Sequence, residues 1–285
     1  MSHPQISFII PNWNQKAFLE KCISSIYSTT ALPLEIVVVD NGSTDGSVTL
    51  VGTSFPDVKW IRNAANLGYA RATNQGAEAS TGDVLILLNN DVVLLDDCVH
   101  TLVSLLEKTF DAGAAAPLLC YPDGRLQISC RRFPTPASLL LELLGITRVG
   151  PYRRWKLTTE EHHAGGIVQQ PMASVLAVTR ACWSAVGPMD ERFPVFFNDV
   201  DWCYRLYRST DYKIYLCPGA RALHYEGAST RLLGFRRRIA FYRGLLRFYR
   251  KHLSLAASSS LLFRMPIVSV ALWLTSGMIF SHATC

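Results

Sequence analysis

The chain has 285 residues, of which 49% are hydrophobic, enough to bury the core of one large α/β domain with an appendage. Its net charge of +6 arises at one end: nine arginines and lysines follow the last acidic residue, Glu226, whereas the first 226 residues carry a formal charge of −3. A nucleic-acid partner is therefore not expected, because the positive charge is confined to one segment. The N-terminus shows no secretory signal, so we expect a cytoplasmic catalytic part.

The first ninety residues alternate strand-like and helix-like patterns, which predicts an α/β fold with a mixed, mostly parallel sheet flanked by helices. The predicted strands are 6–10, 36–39, 58–61 and 84–88, and the predicted helices are 16–28 and 69–80. Residues 117–136 indicate strands and turns, and residues 137–170 indicate an irregular insertion. Further on, we predict a strand over 172–179, a helix over 199–208, and a last strand over 214–217 that is followed by a loop containing His224.

The C-terminal part changes character. Residues 236–252 interleave arginine with aromatic side chains at helical spacing, which is typical of a basic amphipathic helix on an anionic membrane surface. Residues 265–285 carry no charge, which is marginal for a bilayer span of roughly 20 residues and sufficient for an interfacial anchor. We therefore predict a domain over 1–230 and a membrane-associating tail over 231–285 on the cytoplasmic face of the inner or plasma membrane. The alternative is a helical hairpin packed on the domain.

Two aspartates follow buried strands of the predicted sheet. Asp40 ends the second strand, and Asp91 follows the fourth. Ligands of open α/β sheets bind at the carboxyl ends of the strands, so both carboxylates are expected at one edge. Asp40 could accept a hydrogen bond from a base or a ribose, or could cap a turn. Asp91 could bind Mg²⁺ or Mn²⁺, which prefer oxygen ligands, or could simply end a strand.

Three further side chains are candidates for chemistry. Arg71 could face a phosphate from its small-residue helix. Asp199 and Asp201 point about 200° apart on a helix, so they cannot share one role. Because Asp201 is spaced to pair with Arg205, Asp199 is free to act as a general base, although both aspartates could be helix caps. His224 could offer an imidazole nitrogen to a metal, or be an ordinary core or surface histidine.

In this order and spacing, the motifs resemble the inverting glycosyltransferases of family 2, which have the GT-A fold, and in particular the bacterial rhamnosyltransferase-like branch. The resemblance extends over about residues 5–230. Its motifs are I-I-P-N-W-N ending at Asn14, D-N-G-S-T-D from Asp40, N-L-G-Y from Asn66 with Asn74, L-N-N-D ending at Asp91, N-D-V-D from Asn198 with Arg205, and His224.

The resemblance implies a nucleotide-sugar donor, a divalent cation (Mg²⁺ or Mn²⁺), and a saccharide or lipid-linked saccharide acceptor in cell-surface polysaccharide synthesis. It implies that Asp199 deprotonates the acceptor hydroxyl, and that Asp91 and His224 hold the metal. The nucleotide-binding candidates are Pro11, Asn14, Asp40, Asn66, Arg71, Asn74 and Asn90.

Two positions depart from the family pattern. Asn89 replaces the first acid of the D-x-D motif, a common variant in this branch, and leaves the strictness of metal dependence open. Asn198 replaces a glutamate before the base, which removes a charge and should ease the ionisation of Asp199. These substitutions leave an alternative open, a non-catalytic relative that binds nucleotide sugar or scaffolds an assembly at the membrane. The chain has no G-x-G-x-x-G motif after its first strand and no P-loop motif, which argues against an oxidoreductase or a nucleotidyltransferase.

Overall fold

The computed structural model describes residues 5–32, 34–135, 156–193, 195–225 and 236–252. The strands within these residues are β1 (Ile6–Asn12), β2 (Leu34–Asp40), β3 (Lys59–Arg62), β4 (Val84–Leu88), β5 (Val92–Leu95), β6 (Ala112–Cys120), β7 (Cys130–Arg131), β8 (Gly166–Val168), β9 (Gln170–Pro171), β10 (Val175–Thr179) and β11 (Lys213–His224). The helices are α1 (Lys16–Thr29), α2 (Ser47–Ser54), α3 (Tyr69–Ala79), α4 (Cys98–Lys108), α5 (Thr159–Ala164), α6 (Arg180–Val186), α7 (Asn198–Ser209) and α8 (Arg236–His252).

One mixed sheet organises the described residues. Its strand order is β3-β2-β1-β4-β10-β6-β11-β5, with β8 paired to β11, and β7 pairs separately with β9. Strands β1 to β4 are parallel, β10 is antiparallel between β4 and β6, and β11 runs parallel to β6. The carboxyl ends of β1, β2, β4, β6 and β11 therefore share one edge, together with the amino end of β10. The predicted mixed, mostly parallel α/β sheet is confirmed.

Successive residues of β1 show why helices cover both faces of the sheet. Phe8 and Ile10 are fully buried on one face with side chains of α1 and α4, whereas Ile9 is buried on the other face with side chains of α3. Alternating side chains of a strand point to opposite faces, so an unbroken apolar run needs cover on both. Gly76 allows α3 to approach closely, because a Cβ atom there would overlap the side chain of Ile9.

Most predicted elements are present with boundaries shifted by a few residues, but the predicted loop around His224 is wrong. The last strand does not end near residue 217. It shifts register between Cys217 and Arg221, which accommodates Pro218 and Gly219, and then continues to His224 beside β5 and β6. Proline has no backbone N–H to donate, so Pro218 interrupts the strand pattern of the sequence and predicts an end of the strand. In the structure the strand only bulges there and continues. Of the predicted insertion, residues 137–155 lie outside the described part, and α5 and β8 follow.

The predicted amphipathic helix is α8, and its apolar face packs against the domain. Leu245, Phe248 and Tyr249 are buried in a cluster that includes Phe193 and Phe197. The predicted apolar anchor at 265–285 lies outside the described residues. Among the described helices, none is both long enough and apolar enough to cross a bilayer.

Candidate active site

A chain of buried polar side chains runs along the carboxyl edge of the sheet. Asn12, at the end of β1, donates through Nδ2 to Asp40 Oδ1 at 2.9 Å, and its Oδ1 accepts from Asn90 Nδ2 at 2.8 Å. The other oxygen of Asp40 accepts from the backbone N–H of Ser43 at 2.9 Å. Asp40, Asn90 and Asp91 are all buried. Asp40, the last residue of β2, and Asn90, the residue before Asp91, are therefore joined through Asn12 at one edge of the sheet.

The loop after β2 is ordered by side chains of two predicted motifs. Asn14, whose φ is +51°, accepts the N–H of Thr44 at 2.7 Å and donates its own N–H to Ser43 Oγ at 2.9 Å. Asp45 accepts the N–H of Lys16 at 2.8 Å at the start of α1. The amide of Asn14 thus holds the loop beside Asp40. Pro11 lies three residues earlier in β1, opposite Val39 of β2. Their contact with a nucleotide stays a prediction.

The candidate nucleotide-binding residues in and before α3 make contacts away from Asp40. Asn66 accepts the N–H of Gly68 at 3.0 Å and shapes the turn into the helix. The amide of Asn74 binds both backbone groups of Met189, at 2.8 and 2.9 Å, and Arg71 lies 3.7 Å from Glu191. Arg71 and Asn74 are therefore directed at the segment before α7 and not at Asp40. Their predicted nucleotide contacts remain predictions.

Asp91 and His224 meet at the carboxyl ends of β4 and β11. Nε2 of His224 lies 3.5 Å from Asp91 Oδ1, and both side chains are less than 10% exposed. Nδ1 of His224 lies 2.9 Å from the side-chain oxygen of Gln127. An amide oxygen can only accept, so this contact places a proton on Nδ1 and makes Nε2 the ring nitrogen that faces Asp91. Ser174 Oγ lies 3.3 Å from the same Nε2 atom.

The chemistry of this pair fits a divalent cation. A carboxylate oxygen and an oriented imidazole nitrogen are donor types that Mn²⁺ accepts, and the amide of Gln127 orients the imidazole as outer ligands of metal sites do. Asn89 contacts Ser174 through Nδ2 at 3.3 Å and adds no charge. Within the described residues, no cluster of three or more histidines, cysteines or acids forms a metal site. A cation at Asp91 and His224 would therefore need further ligands from a bound phosphate or from water.

Asp199 lies in the first turn of α7, after Phe197 in a left-handed conformation with φ +69°. Its burial raises the pKa of the carboxyl above the usual value, and the Val200 N–H and the positive charge of Arg131 only partly oppose that rise. Asn198 is uncharged here and accepts the N–H of Asp199 at 2.7 Å. A carboxylate with a raised pKa accepts protons more readily, which suits a general base.

Tyr69 lies near both acidic residues of the site, Asp199 and Asp91. Burial, followed by the negative charge of Asp199 and then that of Asp91, raises the pKa of its phenol, so Tyr69 lies within electrostatic range of both carboxylates. Its hydroxyl donates to the carbonyl of Ala173 at 3.0 Å, and Ala173 also hydrogen-bonds Asp199. The metal candidate and the base candidate are thus arranged around one tyrosine.

Sequence reasoning missed four residues of this site: Tyr69, Gln127, Arg131 and Ser174. Tyr69 appeared only as the last letter of a motif, and the other three belong to none. Arg131 has a buried Nε atom with no hydrogen-bond partner among the described residues. The strand pair β7–β9 places Arg131 opposite Gln170, a few residues before Ala173 and Ser174. No local pattern marks such residues, because their neighbours come from distant parts of the chain.

The fold is similar to that of a solved glycosyltransferase, GalNAc-T7 with UDP, GalNAc and Mn²⁺. The TM-score is 0.59 at 19% identity, and the match covers 78% of this chain and 44% of that chain. This chain therefore spans less than half the length of that one. At this identity the likeness concerns the fold alone, which is the predicted GT-A fold of glycosyltransferases.

Sequence comparisons name the family. The chain matches the model described as Glycosyl transferase family 2 over residues 7–167. It is 30% identical over 234 residues to the N-acetylglucosaminyl-diphospho-decaprenol L-rhamnosyltransferase of Mycobacterium tuberculosis, with 74% of this chain and 73% of that protein covered. It is 24% identical over 225 residues to the low-salt glycan biosynthesis hexosyltransferase Agl10 of Haloferax volcanii, with 78% and 67% covered. The protein belongs to glycosyltransferase family 2, and the predicted resemblance to its rhamnosyltransferase-like branch is confirmed.

Proposed function

We propose that this glycosyltransferase moves a hexosyl or rhamnosyl group from a nucleoside-diphosphate donor to a hydroxyl of a saccharide acceptor, with inversion at the anomeric carbon. The observation that carries the proposal is the arrangement around Tyr69: Asp91 with His224 Nε2 at 3.5 Å, and Asp199 with a raised pKa. Asp91 with His224 suits the binding of a cation and a diphosphate, and Asp199 suits proton removal. The proposed transfer uses both at once.

Asp40 would bind the nucleotide. Its buried carboxylate is held by Asn12 and Ser43 but keeps acceptor capacity, since each carboxylate oxygen has two lone pairs. A base imide or a ribose hydroxyl could donate to it. Asn90 is hydrogen-bonded to the same Asn12. Asp40, which would bind the nucleotide, and Asp91, which would lie near the phosphates, would therefore move little relative to each other.

Asp91 and His224 would hold a divalent cation, Mg²⁺ or Mn²⁺, together with the donor phosphates. When bound, such a cation neutralises the charge that the diphosphate gains as it leaves the sugar. The structure of GalNAc-T7, which has a similar fold, contains both UDP and Mn²⁺, and this supports a divalent cation for the proposed reaction. Because Asn89 is neutral, Asp91 would be the main charged protein ligand.

Asp199 would remove the proton of the acceptor hydroxyl while that oxygen attacks the anomeric carbon. The nucleoside diphosphate leaves from the opposite face, which inverts the configuration in a single displacement. General base catalysis of this kind contributes roughly 10²–10⁴ in rate. Arg131 would keep Asp199 ionised between turnovers, because its positive charge opposes the effect of burial.

A lipid-linked acceptor is supported by the name of one related protein and by the exposed arginines of α8. The mycobacterial relative is named for a diphospho-decaprenol substrate. In this chain, Arg243, Arg247 and Arg250 are exposed on α8. Such a basic face suits the anionic cytoplasmic leaflet, where a lipid-linked saccharide would be presented. We therefore place the enzyme peripherally on the cytoplasmic face of the membrane in cell-surface polysaccharide synthesis.

Release of nucleoside diphosphate from sugar donors tests the assignment. UDP-, dTDP- and GDP-linked sugars would be incubated with the full chain in Mn²⁺, and donor binding would be followed by thermal shift with UDP, dTDP and GDP. We expect Asp199→Asn to keep the thermal shift and to lose at least about 10²-fold in release rate. Asp97→Asn, a change at an exposed carboxyl immediately before α4, is the matched control and should behave as wild type.

Two outcomes would count against the proposal. Full activity of Asp199→Asn would remove the general base. A thermal shift with a nucleoside diphosphate, but no turnover with any donor, would favour the alternative of a non-catalytic nucleotide-sugar-binding relative.

A further inference from the structure

The backbone of α8 lies directly against the chain segment that leads into α7. A Cβ atom at Gly244 would lie 2.9 Å from Phe197 Cδ2 and 3.0 Å from the backbone oxygen of Phe196. Phe197 is the residue with φ +69°, two places before Asp199. A non-glycine residue adopts this conformation only where its surroundings hold it there. The position of α8 therefore limits where the chain enters the helix that carries the base.

Aromatic side chains extend this contact on both sides of Gly244. The ring of Phe197 lies 5.2 Å from that of Phe241 and 6.1 Å from that of Phe248. Phe248 also meets Tyr204 of α7 at 5.3 Å in an edge-to-face pair. Phe197 and Phe248 are buried, so moving α8 would expose these rings to water.

A second contact is ionic and lies one turn further into α7. The fully buried Asp201 accepts from Arg205 Nε at 3.0 Å, and its Oδ1 lies 2.7 Å from both Lys251 Nζ and His252 Nε2. Burial opposes the ionisation of Asp201, but the hydrogen bonds from His252, Lys251 and Arg205 hold the pKa of its carboxyl below the usual value. Breaking such a buried pair by removing one partner is costly, because the remaining charge stays buried.

Lys251 also anchors the loop before α7. Its Nζ lies 2.7 Å from Asp190 Oδ2, and Asp190 pairs with Arg192 at 2.7 Å. One cation of α8 thus joins the loop that carries Asp190 to the first turn of α7. Helix α8 therefore contacts residues on both sides of Asp199: Phe197 before it and Asp201 after it.

We propose that α8 is a positioning element of the active site, in which Gly244 and Lys251 hold the first turn of α7 and thereby fix the carboxylate of Asp199. The inference rests on the proposed role of Asp199 as the base. It assigns to the basic C-terminal helix a part in turnover that is distinct from its exposed arginine face. A misplacement of about 1 Å in a catalytic group can cost on the order of 10²-fold in rate, so a small shift of α8 matters.

Gly244→Ala in the full chain is the first test, with Gly52→Ala as the matched control. Both glycines lie in helices, but a Cβ atom at Gly52 would have its nearest neighbour at 3.5 Å, which is ordinary contact. We expect Gly244→Ala to lower kcat for sugar transfer or donor hydrolysis by about tenfold or more. The affinity for nucleoside diphosphate should stay within about twofold, because Asp40, Asp91 and His224 lie on other elements. Gly52→Ala should match wild type in both.

The pH profile of kcat adds a measurement that loss of stability alone would not change. Three ionisable side chains influence Asp199 or respond to it: Arg131 of β7, Tyr69 of α3 and Cys203 of α7. A carboxylate displaced towards water loses part of the burial that raises its pKa. In Gly244→Ala, the acid limb of the kcat profile should therefore shift to lower pH, whereas in Gly52→Ala it should stay in place.

Lys251→Met provides a second variant, which decides the question if Gly244→Ala does not fold. Methionine keeps an apolar chain of similar length but removes the charge that joins Asp190 and Asp201. We expect kcat to fall at least threefold at unchanged nucleotide affinity, and Lys251→Arg to restore most of it. Unchanged kcat per folded molecule in the folded variants would overturn the inference. If Asp199→Asn were fully active in the same assay, the proposed function itself would fail; if only the α8 variants were fully active, the positioning role alone would fail.

Discussion

Gln127 orients His224: its side-chain oxygen lies 2.9 Å from Nδ1, so Nε2 is the ring nitrogen that faces Asp91, 3.5 Å away. A histidine without such a partner could turn its ring or exchange tautomers and would offer Nε2 to a cation only part of the time. The hydrogen bond from His224 to Gln127 thus orients the buried imidazole for binding a metal ion through Nε2. It also connects the turn after β6 with the ends of β4 and β11.

Gln127→Leu should weaken binding of nucleoside diphosphate only when metal is present. Loss of an outer partner of a metal-binding histidine typically costs 10–100-fold in metal affinity. Calorimetric titration of UDP, dTDP or GDP with and without Mn²⁺ would measure the difference. Asp91→Ala removes the carboxylate itself and should show the same metal-dependent loss at equal or greater size. An equal loss without Mn²⁺ would indicate a role in folding and not in metal binding.

The activity should have an acid limb that reports Asp199. A general base acts in its ionised form, and burial raises the pKa of this carboxyl above the usual value near 4. As pH falls through the raised pKa, Asp199 is protonated and kcat decreases. The measurement is kcat at saturating substrates between about pH 4.5 and pH 8.

Arg131 supplies a check on the sign of that effect. Its positive charge lowers the pKa of Asp199, so Arg131→Gln should move the acid limb to higher pH. Arg131→Lys keeps the charge and should move it less. A shift of Arg131→Gln to lower pH would show that another group controls the limb.

Glu35 should make the fold sensitive to acid. It is buried at the start of β2 and accepts from Ser7 Oγ at 2.6 Å, from Lys59 and from Thr81. Burial alone would raise its pKa, but these hydrogen bonds prevail and lower it to about 2. A lowered folded-state pKa stabilises the protein above the unfolded value near 4.5, and that contribution is lost as pH falls towards 2.

Glu35→Gln should therefore lower the free energy of unfolding by about 1–3 kcal/mol at pH 7, with a discount for the half-exposed Lys59. Urea unfolding at pH 7, 5 and 3.5 would measure the difference from wild type, which should shrink as the pH falls. Glu20→Gln, at an exposed position of α1, serves as the control and should change little. A difference that is constant with pH would exclude the ionised carboxylate as its source.

Membrane binding should depend on the exposed arginines of α8. Removing the whole helix is a poor test, since Leu245 and Phe248 belong to a buried cluster. Reversing two charges with Arg243→Glu and Arg250→Glu keeps that cluster. With about 1 kcal/mol for each basic residue near an anionic surface, the double variant should bind vesicles containing phosphatidylserine at least about tenfold more weakly.

The matched control is Arg62→Glu with Lys108→Glu, which makes the same charge change at exposed positions of β3 and α4. Cosedimentation with anionic and with neutral vesicles would compare the three proteins. Equal loss in both double variants would attribute binding to net charge and not to the face of α8.

Local patterns predicted the first half of the fold well because β1, β2 and β4 are buried on both faces. Unbroken apolar runs such as 84–88 end at polar residues, and helical spacing of apolar residues marks a helix such as 16–28 between them. The pattern failed at Pro218 and Gly219, where β11 bulges and continues. It also did not reveal Gln127 or Arg131, whose partners are far away in sequence.

The sequence by itself determined the alternation of strands and helices, the aspartates at strand ends, and the order of motifs that marks the family, because each depends on neighbouring residues. Only the tertiary structure decided which of these side chains meet. His224 reaches Asp91 because β11 pairs with β5 in the register that sets His224 opposite Val92. The helix α8 has a pattern that would suit a membrane surface or a protein surface equally. Complementary contacts with Phe197 and Asp201 decide that one face packs on the helix carrying Asp199, since packing depends on shape and charge at sites that no local pattern encodes.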